Sequence, residues 1–331
     1  MILVITIDVE EDNWGGYECN SFTLENVKKI PSLQRLFDEY DVIPTYLVTY
    51  PVATSKESVY ILKEILRQGK CEIGMHCHPW STPPFDEDKS VHNSMLCNLS
   101  SELQRKKLSV LHDAIEKNLG VAAKSFRAGR WGYNGTVSSV IKDLGYTVDT
   151  SITPFTDWSE YHGPDYSLLS PEPYRFESPE IFERHHNGSM IEIPASIGYL
   201  QSNYELCASV DRALKSNFGK YLRLKGVLNK MYLLNKIWLS PETSDAYQMI
   251  KLTKVFIRKK YKIINMFFHS TSLQAGLTSY VKSKEDEIRY FNRMREYFKF
   301  TSKVGIKSVR LSDAYQSNWQ DDMDLNRRQT P

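Results

Sequence analysis

A chain of 331 residues with 41% hydrophobic and 25% charged residues is long enough to bury a sizeable core, and its composition excludes extended disorder. The net charge of +2 names no partner, and five cysteines without a C-x-x-C spacing fit a reducing compartment better than a disulfide framework. The opening "MILVITIDVE" has no basic leader, and no run reaches the ~18–20 apolar residues of a membrane span, so the expectation is a cytoplasmic protein.

In chain order, hydrophobic patterning predicts strands at Ile2–Ile7, Pro44–Thr49, Cys71–His76, Tyr146–Ser151, Met190–Ile193, Ile263–His269 and Ser308–Leu311. Helical patterns fill 25–39, 57–68, 101–118, 135–144, 245–260 and 285–302. Ser101 with Gln104 reads as a capping box and Ser283 with Asp286 resembles one, while Gly69, Gly120 and Gly145 stand where helices should end. Strands alternating with helices imply an α/β fold with a mostly parallel sheet, either open or closed into a barrel. The interval 152–190, rich in Pro, Ser and aromatic residues, reads as an elaborated loop.

The polar clusters fall at the C-terminal ends of these strands, the face where barrels and open parallel sheets place catalysis and ligands. In "TIDVEED", residues two apart point the same way, so Thr6, Asp8 and Glu10 share a face. Two adjacent carboxylates repel unless a cation or proton intervenes, so one could hold a metal while the other accepts a proton. The bland alternative is an acidic turn on a solvated surface, since Glu11 and Asp12 extend the run.

By the same parity, His76 and His78 in "HCHPW" share a face and Cys77 turns away. Two imidazoles and a carboxylate are the protein ligands of an open, zinc-type site that keeps a position for water. In "FRAGRWGYNG" an arginine could keep a carboxylate ionised, and Trp131 offers a flat face to a sugar ring; a surface turn is the alternative. Asp149 in "VDTSITP" could orient a histidine, and "INMFFHSTS" ends a strand in His269, which alone would read as a satisfied core residue.

Together and in this order the segments resemble the polysaccharide deacetylases, the NodB-homology or carbohydrate esterase family four group. The nearest likeness is to a subgroup of surface-polysaccharide biosynthesis. The resemblance implies a distorted (β/α) barrel of seven or eight mostly parallel strands. It implies one catalytic domain over 1–331, with a loop and helical insertion at about 152–245. It also implies metal-dependent removal of an acetyl group from an N- or O-acetylated sugar. "TIDVEED" is similar to the first motif and places the general base at Asp8. "HCHPW" is similar to the second, with metal-ligand histidines His76 and His78. "FRAGRWG" is similar to the third, with Arg127 holding the base. "DTSITP" and "MFFHS" are similar to the fourth and fifth, placing the general acid at His269 and the aspartate that orients it at Asp149. Two departures stand out: Val9 fills the usual position of the metal-binding aspartate, so Glu10 takes over as ligand, and the histidines are two apart rather than four. The implied cofactor is one divalent metal of the zinc type. Trp80 and Trp131 are the implied sugar contacts, and a backbone amide near Trp131 the implied oxyanion donor.

Two rivals stand beside it. An amidohydrolase-type barrel also uses His-x-His, but its pair ends the first strand, where this chain has carboxylates. A metal-free sugar-binding module on the same fold is the other. Residues 212–262 carry 13 Lys/Arg against Glu242 and Asp245, a balance of +11 that leaves −9 elsewhere. Amphipathic helices there would suit a diphosphate- or lipid-linked sugar, with peripheral contact to an anionic membrane, or simply form a solvated basic face. No recognition module points to nucleic acid.

Overall fold

The computed structural model describes residues 1–12, 17, 21–214 and 234–315. In chain order the strands are β1 (Ile2–Val9), β2 (Pro44–Val48), β3 (Glu72–Cys77), β4 (Ser125–Ala128), β5 (Val148–Asp149) and β6 (Tyr174–Phe176). They continue with β7 (Met190–Glu192), β8 (Ile197–Tyr199), β9 (Lys236–Trp238), β10 (Ile263–His269) and β11 (Lys307–Ser308). The main sheet runs β10-β1-β2-β3-β4-β5-β7-β6, with β11 also on β1; every pairing in it is parallel except β6 with β7. This curled, parallel-dominated sheet is the expected distorted barrel.

Alternation along the strands sorts the core into two. Leu3, Ile5, Ile7 and Val9 of β1 point outward, into the large core beneath the surrounding helices. Val4 points inward, where it meets Val148, Ile191 and Ile263 from the other side of the curl, with Leu311 and Tyr315 closing the lower end. Above that plug the inward positions turn polar: Thr6 and Asp8 on β1, Asn265 on β10, and Arg127 on β4. One continuous strand pattern thus gives an apolar base and a polar mouth.

The ladder does not close. Irregular backbone after β7 and after β9 spans the gap: Ser196 N donates to the Asn265 carbonyl at 3.1 Å, and Phe267 N donates to Leu239 O at 3.2 Å. The interval 152–245 therefore contributes β7 and β6 to the barrel and the β8–β9 hairpin beside its mouth. Three strands within it, β6, β8 and β9, have only three residues each, too short for a periodic signal.

Helices at Ile30–Asp38, Lys56–Arg67, Ser101–Leu119, Gly135–Asp143, Ala246–Arg258 and Lys284–Lys303 match the expected stretches closely. The cap of the third helix is Ser100, not Ser101; its side chain accepts from Leu103 N. The box at Ser283 and Asp286 forms in full, and Gly120 ends its helix at φ 74, a conformation with little cost only for glycine. Among the described residues no helix is long and apolar enough to cross a membrane, and four cysteines are free thiols. Of the basic stretch 212–262, residues 215–233 lie outside the described residues. The rest supplies β9 and a barrel helix with Met249, Leu252 and Phe256 buried.

Candidate active site

Register decides which side chains meet. Asp8 pairs level with His269 across β1–β10, and His76 pairs level with Arg127 across β3–β4, so all four share the inner face at the mouth. Arg127 is wholly buried. Its Nη1 donates to Asp8 Oδ1 at 2.7 Å, Nη2 to Thr6 Oγ1 at 2.6 Å and Nε to the Thr150 carbonyl at 3.1 Å. Burial would raise the Asp8 carboxyl, but the Arg127 guanidinium, with His76 and His269, outweighs it and holds Asp8 below the usual carboxylate range. Asp8 is ionised at neutral pH.

The acidic run that could have been a solvated turn is buried along its whole length. Each carboxylate has a different partner. Glu10 Oε2 lies 3.4 Å from His78 Nε2 and 3.7 Å from His76 Nε2. Glu11 accepts from His78 Nδ1 at 2.9 Å. Asp12 turns away and caps the short 3-10 helix Glu25–Lys29, accepting from Glu25 N and Asn26 Nδ2, each at 2.6 Å. Asn26 also donates to the Glu10 carbonyl at 2.8 Å, tying that turn in place.

Both imidazoles are oriented through Nδ1. His76 Nδ1 donates to the Arg127 carbonyl at 3.0 Å and His78 Nδ1 to Glu11, an assignment made from these bonds, which turns both Nε2 atoms toward Glu10. A carboxylate behind a histidine fixes its tautomer and makes it a better ligand. Burial opposes ionisation of Glu11, yet the charge and hydrogen bond of His78 bring it down to about 2 and push His78 up. The three ligand atoms of Glu10, His76 and His78 lie within 4.8 Å of one another. Separations of 3.4 and 3.7 Å are close to the edges of a tetrahedron with bonds of ~2.0–2.2 Å, so this donor set fits a zinc-type ion.

Two buried supports hold the cluster's loop. Lys107 Nζ, fully enclosed, donates to the carbonyls of Pro79, Thr82 and Pro84 at 2.6–2.9 Å and pairs with Glu87 at 2.8 Å. Gly129 sits against His78: a Cβ there would be 2.5 Å from His78 Cδ2, so only glycine allows this approach.

His269 does not meet Asp149. Asp149 is level with Phe126 and Glu192, both on the outer face, and it bonds Ser151 behind the sheet at 2.7 Å. The expected orienting role of Asp149 is corrected by parity: it is Thr150, the residue just after β5, that faces inward, where it serves Arg127. The carboxylate against His269 is Glu242, from the loop after β9, with His269 Nδ1 3.1 Å from both oxygens. Ser272 Oγ and the His269 amide also donate to Glu242. His269 Nε2 faces Asp8 Oδ2 at 3.8 Å. Burial disfavours the imidazolium, but Glu242, Glu10 and Asp8 overcome this and raise His269 to about 10. It is protonated at neutral pH, poised to donate.

Glu242→Gln removes the main counter-charge, and losing an opposite charge at this distance moves a pKa by about 1–3 units. His269 is then expected to deprotonate at lower pH. The alkaline limb of any activity that needs His269 as acid should move downward, leaving the acidic limb in place, as a pH–rate profile would show.

These groups line a cleft of about 440 Å³ whose walls include Trp80, Trp131, Trp158, Trp238 and Phe267. Trp80 stacks on the His78 ring at 4.1 Å. Trp131 is largely buried, packed over Arg127 at 5.0 Å and edge-on to Phe267 at 5.5 Å. Glu11, Thr150 and Glu242 were not singled out from the sequence. Glu242 in "SPETSD" has no periodic context, and Glu11 looked like one more acid in a run.

Residues 22–148 match the sequence profile of the family described as polysaccharide deacetylase. No curated protein matches the chain. Among solved structures, a 4-alpha-glucanotransferase from Thermococcus litoralis has a TM-score of 0.51 at 13% identity, over 96% of this chain and 40% of that one. That likeness is one of fold alone. A protein from Mycobacterium smegmatis assigned as a polysaccharide deacetylase has a TM-score of 0.48 at 16% identity, covering 93% of this chain and 92% of the other. A peptidoglycan deacetylase from Bacillus subtilis has 0.44 at 13% identity, covering 100% and 97%. The matched residues carry His76, His78 and Arg127, and over that part, a little more than a third of its length, the chain is similar to the polysaccharide deacetylase family.

Proposed function

We propose that the chain is a single catalytic domain that hydrolyses an acetyl group from an acetylated sugar, with one divalent metal, zinc by its ligand chemistry, held by Glu10, His76 and His78. The observation that carries this is the convergence, in one cleft, of that ligand set, an ionised Asp8 and a protonated His269. The metal would lower the pKa of a water toward ~7 and polarise the acetyl carbonyl.

The chain's own residues supply the rest. Asp8, kept ionised by Arg127, takes the proton of the attacking water. His269, held by Glu242 through Nδ1, gives its Nε2 proton to the leaving nitrogen or oxygen. A base and an acid kept apart by opposite environments are what acyl transfer requires. The aromatic walls, with Trp80 and Trp131 nearest the polar cluster, offer faces to sugar rings. A place in surface-polysaccharide assembly is part of the same proposal, supported by the His-x-His spacing. The acidic mouth of Asp8, Glu10, Glu11 and Glu242 favours a cation there, which weighs against the metal-free sugar-binding alternative.

The test is acetate release from N-acetylated oligosaccharides by the purified chain. Release is expected with zinc present, to fall to background after chelation and to return when zinc is restored. Release unaffected by exhaustive chelation would refute the metal-dependent mechanism.

A further inference from the structure

Among the described residues the cleft contains two arginines, and of these only one is neutralised. Arg127 is paired with Asp8. Arg130 lines the same cleft, and among the described residues no carboxylate pairs with it. Its Nη1 donates to the Val91 carbonyl at 3.4 Å and to Ser94 Oγ, and its plane lies over the Tyr17 ring at 5.1 Å and the Tyr161 ring at 6.0 Å. No protein acceptor among the described residues takes Nε or Nη2. The side chain is thus anchored at one nitrogen and between two rings, with the two-donor edge of the guanidinium left over.

The backbone adds a second observation. Arg130 and Trp131 are consecutive non-glycine residues in the left-handed region, at φ 53 and 64. Such conformations cost energy and persist where packing enforces them, commonly at ligand sites. Here the turn is pressed against His78 through Gly129. Arg130 is also linked to His78 by ring contacts, from Tyr17 to Trp80 at 5.1 Å and from Trp80 to His78 at 4.1 Å. Two aromatic rings separate the free guanidinium edge from the polar cluster, the position of a neighbouring group on the substrate rather than of the acetyl itself.

We propose that Arg130 binds an oxyanion of the substrate, a carboxylate or a phosphate carried next to the acetylated sugar, through its Nε–Nη2 edge. This rests on the deacetylation reading above and extends it to substrate class. A planar fork matches both anions with two parallel hydrogen bonds, and lysine cannot reproduce that geometry. The mouth's carboxylates are taken up by Arg127, His269 and the proposed metal, so one preorganised cation without a carboxylate partner at a fixed place makes the anion's position selective.

The experiment compares chitotetraose, hyaluronan tetrasaccharide and UDP-N-acetylglucosamine as neutral, carboxylate and phosphate probes. Binding is measured by calorimetry and acetate release by initial rates, for wild type, Arg130→Gln and Arg130→Lys. At least one anionic probe should bind wild type roughly 10–150-fold more tightly than chitotetraose, the range of a charge-assisted hydrogen-bond pair. The tighter of the two names the source of the anion. In Arg130→Gln that ratio should collapse toward one, with Arg130→Lys between. Equal wild-type affinity for all three probes would overturn the assignment even if no variant folds. So would a loss in Arg130→Gln that is the same for all three, which would mark a turn-holding residue. Arg130-dependent binding without acetate release from any probe would refute deacetylation and leave the anion site standing. Acetate release with binding indifferent to Arg130 would do the reverse.

Discussion

Asp8→Asn is expected to keep its metal and to lose acetate release by about 10²–10⁴-fold, the contribution of a positioned general base. Asparagine has the same shape and can still accept from Arg127 Nη1 through its carbonyl oxygen. It cannot take a proton at neutral pH. Asp8 also lies 3.8 Å from His76 Nε2, close enough that the opposite assignment has a clear signature. If metal content falls with activity, Asp8 is a ligand, and the roles of Asp8 and Glu10 must be exchanged.

Arg127→Met is expected to destabilise the fold by about 3–5 kcal/mol, because it leaves the Asp8 charge buried without its main partner and removes the donors to Thr6 Oγ1 and the Thr150 carbonyl. Asp8 has a folded pKa below its unfolded value, so its pairing adds stability above the unfolded pKa and loses it as pH falls through the folded one. The gap between variant and wild type should therefore be full at neutral pH and narrow below about pH 4, as Asp8 becomes able to protonate. A gap unchanged down to pH 3 in denaturant titrations would assign the loss to packing over Trp131 instead.

Parity along a strand made much of the site legible. Asp8 with Glu10, and His76 with His78, follow from two-residue spacing alone, and the structure brings all four together. The same rule, applied to the fourth motif, would have turned Asp149 outward once Arg127 was fixed inward, because Phe126 and Asp149 are level in the register. That register depends on where β4 begins, which a four-residue strand does not reveal. Glu242 was beyond reach for another reason. It arrives from a loop 27 positions before His269, placed by a hairpin whose strands have three residues each. Glu11 could have been found by asking what fixes the tautomer of His78, since a ligating histidine needs a partner on its other nitrogen.

A metal held by Glu10, His76 and His78 is central to the proposed chemistry, and metal content of the His78→Ala variant tests it most directly. Wild type prepared without chelators should hold one zinc per chain. His78→Ala should hold little, with acetate release falling in step, while Asp12→Ala, at the helix cap, should keep its metal once folded. A wild type that releases acetate without bound metal, or a His78→Ala chain that keeps full stoichiometry, would contradict it.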